Sequence, residues 1–243
     1  MSKLVEKLRR ISEGTTPSLG FRASAPSRQS MLLIAALSLG EVGSVKEVVA
    51  DALAVCAEEP KGEAEILRQV AETAGSLPWG IWAKGVTKGE IGQLVEAGGD
   101  FLIFEATATA TLLQEERIGK VLEIDPLLED SLIRTIGQMP VDVVLIDHEG
   151  EEALTVSHLM RCQRLAGLTG KPLLVTASLE LLEEEIQSLR GVGVDGIIVK
   201  ARKEGMDKLA KLHQIMKSLP LRKPGERRGV ILPRLPLEEA EEI

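Results

Sequence analysis

Several side chains able to do acid–base, carbonyl or metal chemistry follow directly on apolar runs. Lys84 ends the run 79–83, Glu105 ends 101–104, Asp125 follows Ile124, Asp147 and His148 follow 141–146, and Lys200 ends 194–199. An apolar run that stops at an ionisable residue is how a buried strand opens into a site. A lysine amine there could attack an oxo substrate to form a Schiff base. Glu105, Asp125 and Asp147, with His148 beside them, could instead hold a divalent metal ion, with Lys84 or Lys200 as base or enolate stabiliser. His148 has the side chain best suited to proton transfer near neutral pH. It follows Asp147, so it stands either at the site or turned toward the helices.

The elements that must carry these residues repeat along the chain. Val141–Ile146 is a near-continuous apolar run, interrupted by Asp142, as expected of a strand covered on both faces. Glu151–Gly170 has Leu154, His158, Leu159, Cys162, Leu165 and Ala166 at helical spacing and stops at a glycine suited to the left-handed position after a helix. Lys171–Ser178 is apolar again. The same alternation predicts strands over Met31–Leu39, Asp51–Ala57, Trp79–Lys84, Asp100–Glu105, Lys120–Asp125 and Val194–Lys200. Helices are predicted after Ser44 and over Lys61–Leu77, Lys88–Ala97, Thr107–Ile118, Pro126–Gln138, Leu179–Gly191 and Met206–Leu219. Eight strand–helix units without hairpin signals predict one closed (β/α)8 barrel of the TIM type over 31–220. Residues 1–30 supply an amphipathic helix that can plug one end, followed by a loop read as a connector or, around Arg22, as an anion-binding flap. Residues 221–243 form a tail with a basic patch, the apolar triplet Val230–Leu232 and an acidic end.

Alternation along a strand decides which of these side chains meet. In Lys120–Asp125, Leu122 and Ile124 must face the helices, which turns Val121, Glu123 and Asp125 inward. The same test turns Glu105, Asp147, Lys84 and Lys200 inward, Lys84 on the face of Trp82. Lys84, Glu105, Asp125, Asp147 and Lys200 are therefore expected as a ring at the C-terminal mouth, with Glu123 beneath. A carboxylate at that depth needs a cation, a metal or a proton, and Lys84, Lys200 or a bound ion is the expected contact. Lys84 is the favoured amine, because Trp82 and Trp79 would lower the polarity around it. The sober alternative is an ionic layer that satisfies itself and does no chemistry.

Composition narrows the function classes. The 243 residues carry a formal charge of −8 and only five aromatic side chains. Nucleic acid is therefore not an expected partner. The chain has no tyrosine, which excludes a tyrosine acid. Cys56 and Cys162 have neither metal nor disulfide spacing and read as reduced core thiols. No run has the length of a membrane span and the N-terminus lacks a leader's apolar region, so a cytoplasmic protein is expected, with a homo-oligomer left open. Gly191–Val199 resembles the start of the last strand in phosphate-binding barrels, but Lys200-Ala201-Arg202-Lys203 replaces the glycine-serine turn and the phosphate cup is missing. P-loop, GxGxxG, HExxH and GxSxG motifs are absent. The expected function is a lyase- or isomerase-type barrel enzyme using lysine- or metal-assisted carbon-acid chemistry on a small anionic or oxo-acid metabolite. The alternative is a non-catalytic barrel that serves as a binding or scaffold protein.

Overall fold

Short aliphatic runs bounded by turns leave each strand two faces to bury, and the chain buries both by closing the sheet on itself. A computed structural model describes residues 2–13, 29–43, 48–57, 64–148 and 153–221. The strands are β1 (Leu32–Ser38), β2 (Ala52–Ala57), β3 (Trp79–Ala83), β4 (Phe101–Glu105), β5 (Gly119–Ile124), β6 (Val143–Ile146), β7 (Leu173–Ala177) and β8 (Gly196–Lys200). They pair in parallel in chain order, and β8 closes on β1. The helices are α1 (Lys3–Glu13), α2 (Ala64–Ala74), α3 (Lys88–Glu96), α4 (Asp130–Gln138), α5 (Val156–Thr169), α6 (Glu183–Gly191) and α7 (Met206–Ser218). This is a TIM barrel. Among the described residues no helix is long and apolar enough to cross a membrane. The Arg22 loop, the Ser44 helix cap, Glu149 and the tail from 222 lie outside the described residues.

The core has two shells. Between strands and helices lie residues such as Leu33, Leu53, Leu102, Leu122, Val144 and Ile197. Inside the barrel lie Leu32, Ile34, Ala54, Phe101, Ile103, Val121, Leu145, Leu174 and Ile198, together with Leu4, Val5, Leu8 and Ile11 of α1. Helix α1 thus plugs the end where the strands begin, as its amphipathic pattern predicts. Its approach needs Gly119, where a Cβ would stand 2.7 Å from Ser2 Oγ and 2.8 Å from Val5 Cγ2.

An aspartate precedes each even-numbered strand. Asp51, Asp142 and Asp195 accept backbone N–H groups of the strand before, from Leu33 (2.9 Å), Lys120 (3.0 Å) and Leu173 (2.9 Å). Asp100 instead caps α1, accepting from the Lys3 and Leu4 N–H groups at 2.7 and 2.9 Å. These carboxylates take up donors that the strand and helix starts would otherwise leave unpaired. Asp51 also accepts from Gln29 Nε2 and lies 3.2 Å from His213 Nε2 of α7. Burial pushes the Asp51 carboxyl up, and His213, the Leu33 N–H and Gln29 together outweigh it, leaving it below its ordinary value.

Several predicted elements are shorter than the sequence suggests. The helix expected over Thr107–Ile118 is only a 3-10 helix over Ala110–Gln114, and its Thr109 makes no side-chain cap bond. β-Branched threonines lose side-chain freedom in a helix and divert their hydroxyls; here Thr111 Oγ1 donates to Thr109 Oγ1 at 3.3 Å. The helix expected from Pro126 begins at Asp130, because Asp125 Oδ1 accepts the Leu127 N–H at 2.8 Å and makes a turn of the intervening residues. Helix α5 does end as predicted, with Gly170 left-handed at φ 64°.

Two stability outcomes follow. Leu8→Ala should cost about 3 kcal/mol in urea unfolding, because it opens a hole in the inner shell. Asp51→Asn should cost about 2–3 kcal/mol near neutral pH by orphaning buried partners. The carboxyl is depressed in the fold, so this difference should be complete above the ordinary aspartate pKa of about 3.9 and shrink as pH falls through the folded value.

Candidate active site

The C-terminal strand ends present one polar side chain after another to the barrel axis. Trp82 and Lys84 come from β3 and the segment just after it, Glu105 from β4 and Glu123 from β5. Asp147 follows β6, Thr176 is on β7 and Lys200 ends β8. Their direction is fixed by alternation, since Ile103, Val121, Leu145, Leu174 and Ile198 on the same faces form the inner shell. Their flanking neighbours Phe104, Leu122, Ile124, Ile146 and Val175 pack on the outer one. Glu105 and Glu123 are direct neighbours in register.

Glu123 is half-buried among these groups, and Trp82 Nε1 donates to its Oε2 at 2.7 Å. The contact expected from sequence was Lys84, Lys200 or an ion. Trp82 pairs with Ile103, and Ile103 pairs with Val121, two residues before Glu123, so the long indole spans β4 to reach the carboxyl. Burial raises the Glu123 pKa above its ordinary value; the Trp82 N–H opposes this, Asp147 and Glu105 add to it, and Lys84 counters it. The net effect is that Glu123 holds its proton to higher pH than an ordinary glutamate.

Asp147 is held differently. Thr176 Oγ1 donates to Asp147 Oδ1 at 2.5 Å while accepting the His148 backbone N–H at 2.7 Å. A hydroxyl has one proton to give, and the incoming N–H directs it onto the carboxylate. Lys200 Nζ stands 3.9 Å from Asp147 Oδ2 and 5.6 Å from the Trp82 ring centroid. Lys84 Nζ lies 3.4 Å from Glu105 Oε1 with its side chain 82% exposed.

The structure therefore redistributes the expected ring. Lys84, Glu105, Glu123, Asp147 and Lys200 come together as parity predicts. The low-polarity surface does not sit under Lys84. Trp79 is three residues from Trp82, hence on the opposite strand face, and is buried in the outer shell; the Trp82 face lies against Lys200. Asp125 is exposed and committed to its turn. Among the described residues no three His, Cys, Asp or Glu side chains are grouped so that they could hold a metal ion. Glu105, Asp125 and Asp147 are thus not gathered around one point.

His148 is turned outward, the opposite face from Asp147. Its ring lies 4.6 Å from that of His158, in a cavity of about 30 Å³ behind β6 and β7. Its backbone N–H, and not its imidazole, reaches the site through Thr176. His158 and His213 are buried on helices and serve the fold, His158 Nδ1 accepting the Thr155 N–H at 3.0 Å at the start of α5 and His213 pairing with Asp51. Cys162 is a core thiol pushed up to about 12 by burial, whereas Cys56 lies against the inner shell beside Trp82. Sequence reasoning missed two members of the site, Thr176 and the polar edge of Trp82. The signal for the first is a lone threonine on the inward face of an aliphatic strand; for the second it is a tryptophan sharing the Lys84 face.

No family model matches the sequence, and no curated protein matches it either. Solved structures share the fold. A mutant tryptophan synthase alpha-subunit from Pyrococcus furiosus aligns with TM-score 0.56 at 15% identity, over 76% of this chain and 96% of that one. Thiamine phosphate pyrophosphorylase from the same organism aligns with TM-score 0.59 at 11% identity, over 78% and 97%. An Aquifex aeolicus VF5 protein aligns with TM-score 0.60 at 13% identity, over 92% and 100%. At such identities only the fold carries over.

A carboxyl raised in the folded state costs stability once the unfolded chain would ionise it. Glu123→Gln should therefore match wild type in thermal stability below the ordinary glutamate pKa of about 4.3 and exceed it as pH rises through the folded value. Parallel melting curves across that range would show that Glu123 titrates normally.

Proposed function

We propose that the protein is a barrel enzyme performing lyase- or isomerase-type carbon-acid chemistry on a small anionic or oxo-acid metabolite. Glu123 is the proton-carrying acid or base, and Lys200, assisted by Lys84, provides the positive charge that stabilises an enolate or carboxylate. The observation that carries this function is the unequal treatment of neighbouring carboxyls. Burial raises the Glu123 pKa despite the Trp82 N–H, with Asp147 and Glu105 adding to it, whereas Asp147 accepts the Thr176 hydroxyl and has Lys200 Nζ at 3.9 Å. Carboxyls whose surroundings separate their proton affinities are the pairs that enzymes use as acid and base. The shared fold with two proteins whose names are those of enzymes is in keeping with a site at this end of the barrel.

Between lysine and metal assistance, the geometry favours lysine as a charge or an amine. Lys200 is better placed than Lys84, because the Trp82 ring covers part of its surroundings. A scaffold held by a self-satisfied ionic layer is the second reading, and the Lys84–Glu105 and Lys200–Asp147 pairs speak for it. The Lys84 side chain is 82% exposed, and a pair so exposed contributes only about 0–1 kcal/mol, which leaves its position at the mouth without a structural reason.

Hydrogen–deuterium exchange at the carbon next to the carbonyl, followed by NMR on a panel of small 2-oxo acids in D2O, tests this function without knowledge of the full reaction. Wild type should wash out at least one substrate proton, and Glu123→Gln should slow that by about 10²-fold or more. No exchange with any member, or exchange indifferent to Glu123→Gln, would refute the assignment. Borohydride added with the active compound should trap Lys200 if the lysine acts as an amine and leave it unmodified if it acts as a charge. Lys84→Ala should cost less than about 1 kcal/mol of stability; a loss of about 3–5 kcal/mol would favour the structural network.

A further inference from the structure

Two contacts made by Trp82 have opposite electrical character. Its indole edge donates to Glu123 Oε2 at 2.7 Å, and its ring face has the Lys200 ammonium 5.6 Å from the centroid. We propose that Trp82 is a positioning residue of the site: one rigid side chain fixes the carboxyl at its edge and the ammonium at its face, and so sets their separation. This rests on the roles given above to Glu123 and Lys200, but the contacts themselves exist without a substrate.

An indole has only two side-chain torsions, so both partners are referred to the same plane with little freedom lost. Gly80 lies on the same inward face of β3, where a Cβ would stand 2.6 Å from the Phe101 ring. Phe101 therefore packs directly against the strand at Gly80, two residues before Trp82. The two contacts also reinforce each other. A hydrogen bond from the indole to a carboxylate raises electron density in the ring, and a richer ring attracts a cation over its face more strongly. When Glu123 gives up its proton, the Trp82–Glu123 bond becomes charge-assisted and the hold on Lys200 tightens. When Glu123 regains the proton, that hold relaxes. The proton state of the acid is thereby relayed to the cation through one side chain.

The chain contains two tryptophans, so the ¹H–¹⁵N NMR spectrum has two indole signals, and Trp82→Phe identifies which belongs to Trp82. On the intact protein, that signal should move with pH in a single step, and Glu123→Gln should abolish the step. Lys200→Met should displace the Trp82 signal at fixed pH and reduce the size of its pH-dependent shift. The Trp79 signal lies on the opposite face of β3 and should stay in place in every variant, which verifies that each one is folded. A Trp82 signal that does not titrate, or that still titrates in Glu123→Gln, would overturn the edge contact. A Trp82 signal indifferent to Lys200→Met would overturn the relay. Neither result depends on turnover, so failure here is distinguishable from failure of the proton-exchange experiment.

Discussion

Every strand of a closed parallel barrel has one face toward the axis and one toward the helices, and no residue can change sides without carrying its whole strand along. That constraint organises this molecule. On the helix side the chain keeps leucine, isoleucine, valine and phenylalanine up to the strand ends, as at Phe104, Ile124 and Ile146. On the axial side it gives up apolar residues at the last position of strand after strand, and α1 seals the opposite end. The barrel is thus a filled cylinder whose axial face turns polar where the strands end, and those groups are crowded because there is nowhere else for that face to point.

Crowding sets the electrostatics. Glu105, Glu123 and Asp147 face Lys84 and Lys200, so the described mouth holds one more acid than base. The carboxyl pushed above its ordinary value is Glu123, which is half-buried and whose hydrogen-bond donor is a neutral indole N–H, while Asp147 receives the Thr176 hydroxyl and has Lys200 Nζ at 3.9 Å. The opposite end of the barrel shows what carboxylates do when structure alone is served. Asp51, Asp142 and Asp195 each take a backbone N–H of the preceding strand, and Asp51 is held below its ordinary value. Equal chemical groups at the two ends of one cylinder are pushed in opposite directions by what surrounds them, Glu123 above its ordinary value by burial and Asp51 below its own by His213, the Leu33 N–H and Gln29.

Most of the barrel was legible in the amino-acid sequence, because eight aliphatic runs at regular intervals admit few alternatives. The inward set was legible wherever apolar neighbours flanked a polar residue, as Leu122 and Ile124 flank Glu123. What alternation cannot reveal is the reach of a side chain across neighbouring strands. Trp82 looked like apolar lining for Lys84, yet its indole passes β4 to meet Glu123 and its face lies against Lys200. Parity did contain the correction for Trp79, three residues away and therefore on the other face. Aspartate is equally ambiguous in sequence: Asp125 shares the Glu123 parity, but the following proline turn gives its carboxylate a backbone donor first. The threonines from 107 to 111 mimic a helix start without supplying a helix.

Burial makes Glu123 hold its proton to higher pH than an ordinary glutamate. Infrared difference spectroscopy between wild type and Glu123→Gln measures this directly, in the pH range just above the ordinary glutamate pKa of about 4.3. Wild type should show a protonated-carboxyl stretch that is missing from the variant and that fades only as pH rises further. A difference spectrum showing only a carboxylate band throughout that range would contradict it.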